Sequence, residues 1–149
     1  MRLLGAMCLT SMFLWAVGPA YSQTRPDFSG KWNEIAPAAG KSPMSMVVQQ
    51  DANTITVDVP PDQRWSSKLD GSPSTNVNIQ DTARVEHVVT ATWDGAKLVM
   101  LTRAIGKQQT AMTIRQVWSL DGKNLVIAST ITADATGAIL QDVKQTFSR

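Results

Sequence analysis

The chain has 149 residues, fourteen basic against twelve acidic side chains and a net charge of +2, with one cysteine and one histidine. No basic block offers a face to nucleic acid, no cysteine pair can build a disulfide framework, and one His with one Cys cannot furnish a good zinc set. What remains is a single domain large enough to build a core of its own.

Met1-Arg2 is a minimal positive start, Leu3 to Gly18 is apolar and uncharged, and Ala20-Tyr21-Ser22 puts small residues at the positions a signal peptidase reads. This three-part pattern predicts a signal peptide over residues 1–22 and a mature barrel domain over 23–149, exported to the periplasm or the medium. Cys8 falls inside the apolar run and reads as part of it, with too few residues before it for a lipid anchor. No transmembrane segment is expected after cleavage.

Behind the signal, Asp27 to Trp32 carries Gly30-Lys31-Trp32 into a first strand. Ile35 to Pro43 reads as a loop. Met46 and Val48 alternate toward one face, as do Ile55 and Val57, with a turn at Asp51-Ala52-Asn53 between them. Pro60-Pro61-Asp62 ends a strand because Pro cannot donate to a ladder, and Asp70-Gly71-Ser72-Pro73 is a further turn.

Asp94-Gly95 and Asp121-Gly122 are two-residue hairpin signals. Taken as the loop residues, the first pair sets Trp93 opposite Ala96, Ala91 opposite Leu98, Val89 opposite Met100 and His87 opposite Thr102. The second sets Trp118 opposite Leu125, Gln116 opposite Ile127 and Ile114 opposite Ser129. Ala135-Thr136-Gly137 works as a three-residue turn with Gly137 left-handed, placing Ile131 opposite Gln141, Ser129 opposite Val143 and Leu125 opposite Phe147. One face of each strand is mostly apolar; the other carries Glu86, Lys97, Arg103 and Arg115. No helix-period segment follows the signal. The pattern predicts an all-β, antiparallel up-and-down meander of about 8–10 strands. A barrel is favoured because closure removes the exposed edges; a sandwich is the main competitor.

Four motifs recur in order: Ser29 to Trp32, Leu69 to Ser72, Trp93 to Val99 and Val117 to Gly122. With its Gly-x-Trp strand, the chain resembles the lipocalins and the wider calycin superfamily, and most closely small exported bacterial lipocalin-like proteins of undefined function. The resemblance implies a barrel around a cavity. It also implies that Trp32 closes one barrel end beneath an Arg from a late strand, for which Arg149 has the right parity, with Gly30 permitting close approach. The chain departs from lipocalins in lacking a C-terminal helix and disulfides, and from fatty-acid-binding proteins in lacking a two-helix lid.

His87 falls on the predicted inward face, where it reads as a satisfied interior histidine, a polar handle in a cavity, or an axial ligand to haem. Gln116, Ser129, Gln141 and Gln145 also fall inward, beside Met100, Thr102, Ile114, Trp118 and Val143. So many polar groups are unusual in a dry core. They either orient a small ligand or bond one another. No serine sits in a nucleophile elbow, and Glu34 and Glu86 form no catalytic carboxylate pair. The expectation is a monomeric, non-enzymatic barrel without cofactor or metal. It would bind a small hydrophobic or amphipathic molecule through His87, Met100, Thr102, Ile114, Gln116, Trp118, Ser129, Gln141 and Val143. The alternative is a filled barrel serving the cell envelope as a structural or interaction module, binding a protein or glycan through its loops.

Overall fold

A computed structural model describes residues 24–80, 83–105 and 111–149. The segment expected to direct export, with Cys8 and the expected cut before Gln23, lies outside the described residues. The rest is strand: β1 Gly30–Ile35, β2 Ser45–Gln50, β3 Thr54–Val59, β4 Gln63–Lys68, β5 Ser74–Gln80, β6 Ala83–Asp94, β7 Lys97–Ile105, β8 Met112–Asp121, β9 Asn124–Ala133 and β10 Ile139–Ser148. All ten are antiparallel neighbours in one sheet of order β4-β3-β2-β1-β10-β9-β8-β7-β6-β5. Because β1 pairs β10, with Glu34 opposite Phe147, the meander curls into a nearly closed barrel. Among the described residues no helix is long and apolar enough to cross a membrane.

Alternation explains the strands. In β2 Met46 and Val48 are buried while Val47 and Gln49 are exposed, and in β3 Ile55 and Val57 are buried. The same inward row continues through Ala91, Leu98, Met100, Trp118, Leu125, Ile127 and Phe147. One apolar row per strand is what a closed sheet can bury.

The two tight hairpins pair differently from the sequence expectation. Trp93 lies opposite Leu98 and Ala91 opposite Met100. Trp118 lies opposite Ile127, and Gln116 opposite Ser129. The loop residues are Gly95-Ala96 and Gly122-Lys123, with each Asp ending its strand. Gly95 and Gly122 have φ of 60° and 59°, and the one left-handed non-glycine among the described residues is Ala36. A glycine alone at the first central position makes a type II′ turn, not the I′ turn that Asp-Gly suggests. The slip is two residues, so every side chain keeps its face. The third hairpin pairs as expected, with Ser129 opposite Val143, Leu125 opposite Phe147 and Gly137 at φ 68°.

The two ends of the barrel differ. The end bearing the β2–β3, β4–β5, β6–β7 and β8–β9 turns also receives the described segment before β1 and the end of β10. It is packed shut by Phe28, Trp32, Leu69, Leu98, Leu125 and Phe147, each at most 5% exposed. Phe28 precedes β1 and enters the interior, stacking on Trp93 (centroids 6.0 Å apart, planes at 8°) and meeting Trp118 edge-on at 5.9 Å. Gln50 holds this segment: its Oε1 accepts from Phe28 N at 3.1 Å and its Nε2 donates to Pro26 O at 3.0 Å.

Three carboxylates pin this closed end. Asp51 accepts from Asn53 N and Thr54 N, both at 2.7 Å. Asp70 accepts from Ser72 Oγ at 2.6 Å, and Asp27 accepts from Ser29 N at 2.8 Å. These bonds favour the charged form and hold all three carboxyls below the usual range, the main donors being Asn53 N, the Ser72 hydroxyl and Ser29. A folded pKa below the unfolded one gives stability that is present above the unfolded value and is lost as pH falls through the folded one. The urea midpoint is therefore expected to hold from pH 7 to 5 and to drop from about pH 4 downward. The drop should be smaller in Asp51→Asn, which has no proton to take up at that site.

β4 and β5 are consecutive, yet no backbone ladder joins them among the described residues. Side chains of β5 replace it. Ser74 Oγ accepts from Lys68 N at 3.1 Å. The Asn76 amide accepts from Ser66 N at 2.7 Å and donates to Ser66 O at 2.9 Å. The Asn78 amide, assigned with its nitrogen toward β4 because the other orientation leaves oxygen facing only acceptors, donates to Arg64 O at 3.2 Å. The period-2 row of Ser74, Asn76 and Asn78 thus satisfies alternate backbone groups of the β4 edge. Asn76→Ala removes two such bonds and should cost about 1–3 kcal/mol. Val77→Ala, at an exposed position between them, should cost less than about 0.5 kcal/mol. Urea unfolding of the two variants checks the contrast.

Candidate functional site

The site is built where the barrel is polar. β6 carries His87 opposite Asn76 of β5. β7 carries Thr102 opposite Val89 on one side and Ile114 of β8 on the other. One pair further toward the closed end, Gln116 lies between Met100 and Ser129. All these positions share the inward parity of the buried core. His87, Asn76, Thr102, Val89, Ile114 and Gln116, with Gln63 and Trp65 of β4 and Asn78 of β5, line a half-open pocket of about 250 Å³ just inside the β4–β5 seam, on the side away from the closed end.

Its floor is aromatic. Trp65 lines the cavity and meets the fully buried Trp118 edge-on, with centroids 6.1 Å apart and planes at 84°. Its walls are polar and carry no Lys, Arg, Asp or Glu side chain. Asn76 is committed at both ends to Ser66. Gln116 Nε2 donates to Ser129 Oγ at 3.3 Å. His87 Nε2 is buried and has no hydrogen-bond partner in the protein. A buried ring nitrogen left unpaired costs roughly 1–3 kcal/mol. It is the polar group of this site with the most to gain from a ligand.

The structure gathers His87, Thr102, Ile114 and Gln116 at one cavity, and sets Ser129 behind Gln116 as its hydrogen-bond acceptor. Met100 and Trp118, each 1% exposed, lie in the packed core beside it and do not line it. Val143 is half-buried beside Ser129 on the β10 wall, outside the lining. Gln141 is exposed next to an irregularity in the β9–β10 ladder between Ile139 and Gln141, and it does not reach the cavity. Gln145 is spent on Glu34, donating to its Oε1 at 2.9 Å.

Sequence reasoning did not single out Gln63, Trp65, Asn76 and Asn78 as cavity residues. The signal available for the β5 pair was the alternation Ser74-x-Asn76-x-Asn78, too polar for a core face and too regular for a loop.

At the closed end, the Arg149 guanidinium lies 4.8 Å from the Trp32 ring centroid and donates to Ser29 O at 3.2 Å. Trp32 Nε1 donates to Phe28 O at 2.8 Å. Gly30 has φ of 144°, and a Cβ there would sit 3.3 Å from Arg149 Nε. A side chain at that position is strained and also crowds the cation. A larger groove of about 470 Å³ runs past Trp32, Leu120, Lys123 and Arg149. Of its two cations, Arg149 is already occupied by the indole and backbone carbonyls. Among the described residues no three His, Cys, Asp or Glu side chains converge as a metal site requires.

Set against known proteins, the chain matches no family model, no curated protein and no solved structure.

Proposed function

We propose that the protein is an exported, monomeric and non-enzymatic barrel that binds a small amphipathic molecule in the cavity between His87, Trp65 and Gln116. The observation that carries this is a buried, unpartnered His87 Nε2 facing a cavity with an aromatic floor. Apolar surface with a few convergent polar groups is the general character of small-molecule sites. The cavity is below the range of about 300–1,000 Å³ usual for drug-sized ligands, which favours a compact ligand and speaks against haem on His87. Export rests on the signal pattern of residues 1–22.

A second reading draws on the rim. Ile139 and Leu140 are 67% and 55% exposed at the start of β10, and exposed apolar pairs of this kind can serve a macromolecular partner. Titration separates the two. Cyclohexanol and decanoate are added to the exported protein while tryptophan emission is read. The binding reading expects a saturable change with at least one of them, reduced in Trp65→Leu. No saturable change with either would remove the cavity reading and leave the interaction module.

A further inference from the structure

We propose that the cavity selects an uncharged, single-ring molecule that lays its apolar face on Trp65 and turns a hydrogen-bonding edge toward His87 and Gln116. This rests on the binding reading above and gives the ligand its chemical class.

The first argument is charge. Seven of the nine lining side chains carry a hydrogen-bonding group, and none is Lys, Arg, Asp or Glu. The nearby ions occupy the alternate, outward positions of the same strands. Arg64 precedes Trp65 and pairs with Asp58 on the outer face at 3.4 Å. Glu86 precedes His87, Arg103 follows Thr102 and Arg115 lies between Ile114 and Gln116; all three are exposed. On the inward face, Glu34 is held by Gln145 and by Met44 N, which donates to its Oε2 at 3.0 Å. A carboxylate or ammonium entering here would lose its water without gaining a counter-ion, and an ion buried unpaired costs several kcal/mol. A neutral polar group does not meet that penalty.

The second argument is which groups are free. Asn76 is fully used by Ser66, the Asn78 nitrogen by Arg64 O and the Gln116 nitrogen by Ser129. The capacity that remains includes His87 Nε2 and the Gln116 carbonyl, with the Thr102 hydroxyl and the Gln63 amide beside them. A neutral imidazole nitrogen donates or accepts according to its tautomer, whereas a carbonyl only accepts. The matching ligand edge therefore carries at least one donor, and a primary carboxamide or a vicinal hydroxyl pair has the right form.

The third argument is size. A cavity of about 250 Å³ corresponds to roughly eight waters at about 30 Å³ each. That is one substituted ring, not an extended acyl chain.

Three compounds of one shape test the inference: benzamide, benzoate and benzamidinium, which differ in charge. Binding to the exported protein is followed through the Trp65 indole N–H resonance, with decanoate as a fourth probe. Benzamide is expected to bind at least tenfold more tightly than either ion. Its affinity should fall about tenfold in Gln116→Leu, the equivalent of one lost hydrogen bond. An ion binding as tightly as benzamide would overturn the selectivity and leave cavity binding standing. So would saturation by decanoate with no response to benzamide. Silence from all four probes would instead remove the binding reading itself.

Discussion

Trp32→Ala is expected to lower the unfolding free energy by about 3–5 kcal/mol, because the ring is fully buried at the closed end. For a domain of this size that corresponds to a fall of roughly 10–20 °C in Tm. Three interactions go at once: the packing, the bond from Nε1 to Phe28 O, and the Arg149 stack at 4.8 Å. Arg149 is itself exposed. Arg149→Ala alone should therefore cost only about 0.5–1 kcal/mol, the usual range for an exposed cation over an indole. In the double variant the Arg149 change should add less than it does alone, the remainder coming from its bonds to Ser29 O and Asp27 O, which do not involve the ring. Urea unfolding of the wild type, the two single variants and the double variant gives the coupling. Additive losses would mean that the guanidinium gains nothing from the ring.

Phe28→Ala should cost about as much, 3–5 kcal/mol, although Phe28 belongs to no strand. Its ring is 0% exposed and sits between Trp93 and Trp118. Truncation opens a hole at the centre of the aromatic cluster and forfeits two ring pairs, each worth about 0.5–1.5 kcal/mol beyond area. Phe28→Leu keeps most of the apolar volume and should recover more than half of the loss. The segment before β1 is thus part of the barrel core. Near-ultraviolet circular dichroism of Phe28→Ala should show a weakened tryptophan signal with unchanged far-ultraviolet strand signal. An unfolding energy within about 0.5 kcal/mol of wild type, the range of ordinary surface changes, would place the ring outside the core.

The strands and their inward faces were legible because a period of two is written directly into residues such as Met46, Val48, Ile55 and Val57. The β9–β10 register was legible too, since a three-residue turn ending in a left-handed Gly137 admits one pairing. The Asp-Gly hairpins were less so. The same dipeptide serves as both loop residues of a I′ turn, or as a strand end followed by the glycine of a II′ turn. Only the twist of the flanking strands decides between them.

At the cavity, His87, Thr102, Ile114 and Gln116 could be found from parity alone. Trp65 and Asn76 could not. Their place depends on β4 meeting β5 across the seam, and that meeting is made by side chains, which leave no turn or ladder signal. Phe28 was hidden for a related reason: a single aromatic in an irregular segment has no periodicity. Gln141 had the right parity but the wrong height, because parity fixes the face of a strand and not how far along the barrel the packed interior extends.

The most direct measurement of the central claim uses the indole N–H resonances of Trp32, Trp65, Trp93 and Trp118 as reporters at different heights in one barrel. During titration with benzamide, the Trp65 resonance should shift saturably and Trp118 beneath it more weakly. Trp32, sealed at the far end under Arg149, should not move. Shifts confined to Trp32, or no saturable shift at Trp65, would contradict a binding site beside His87.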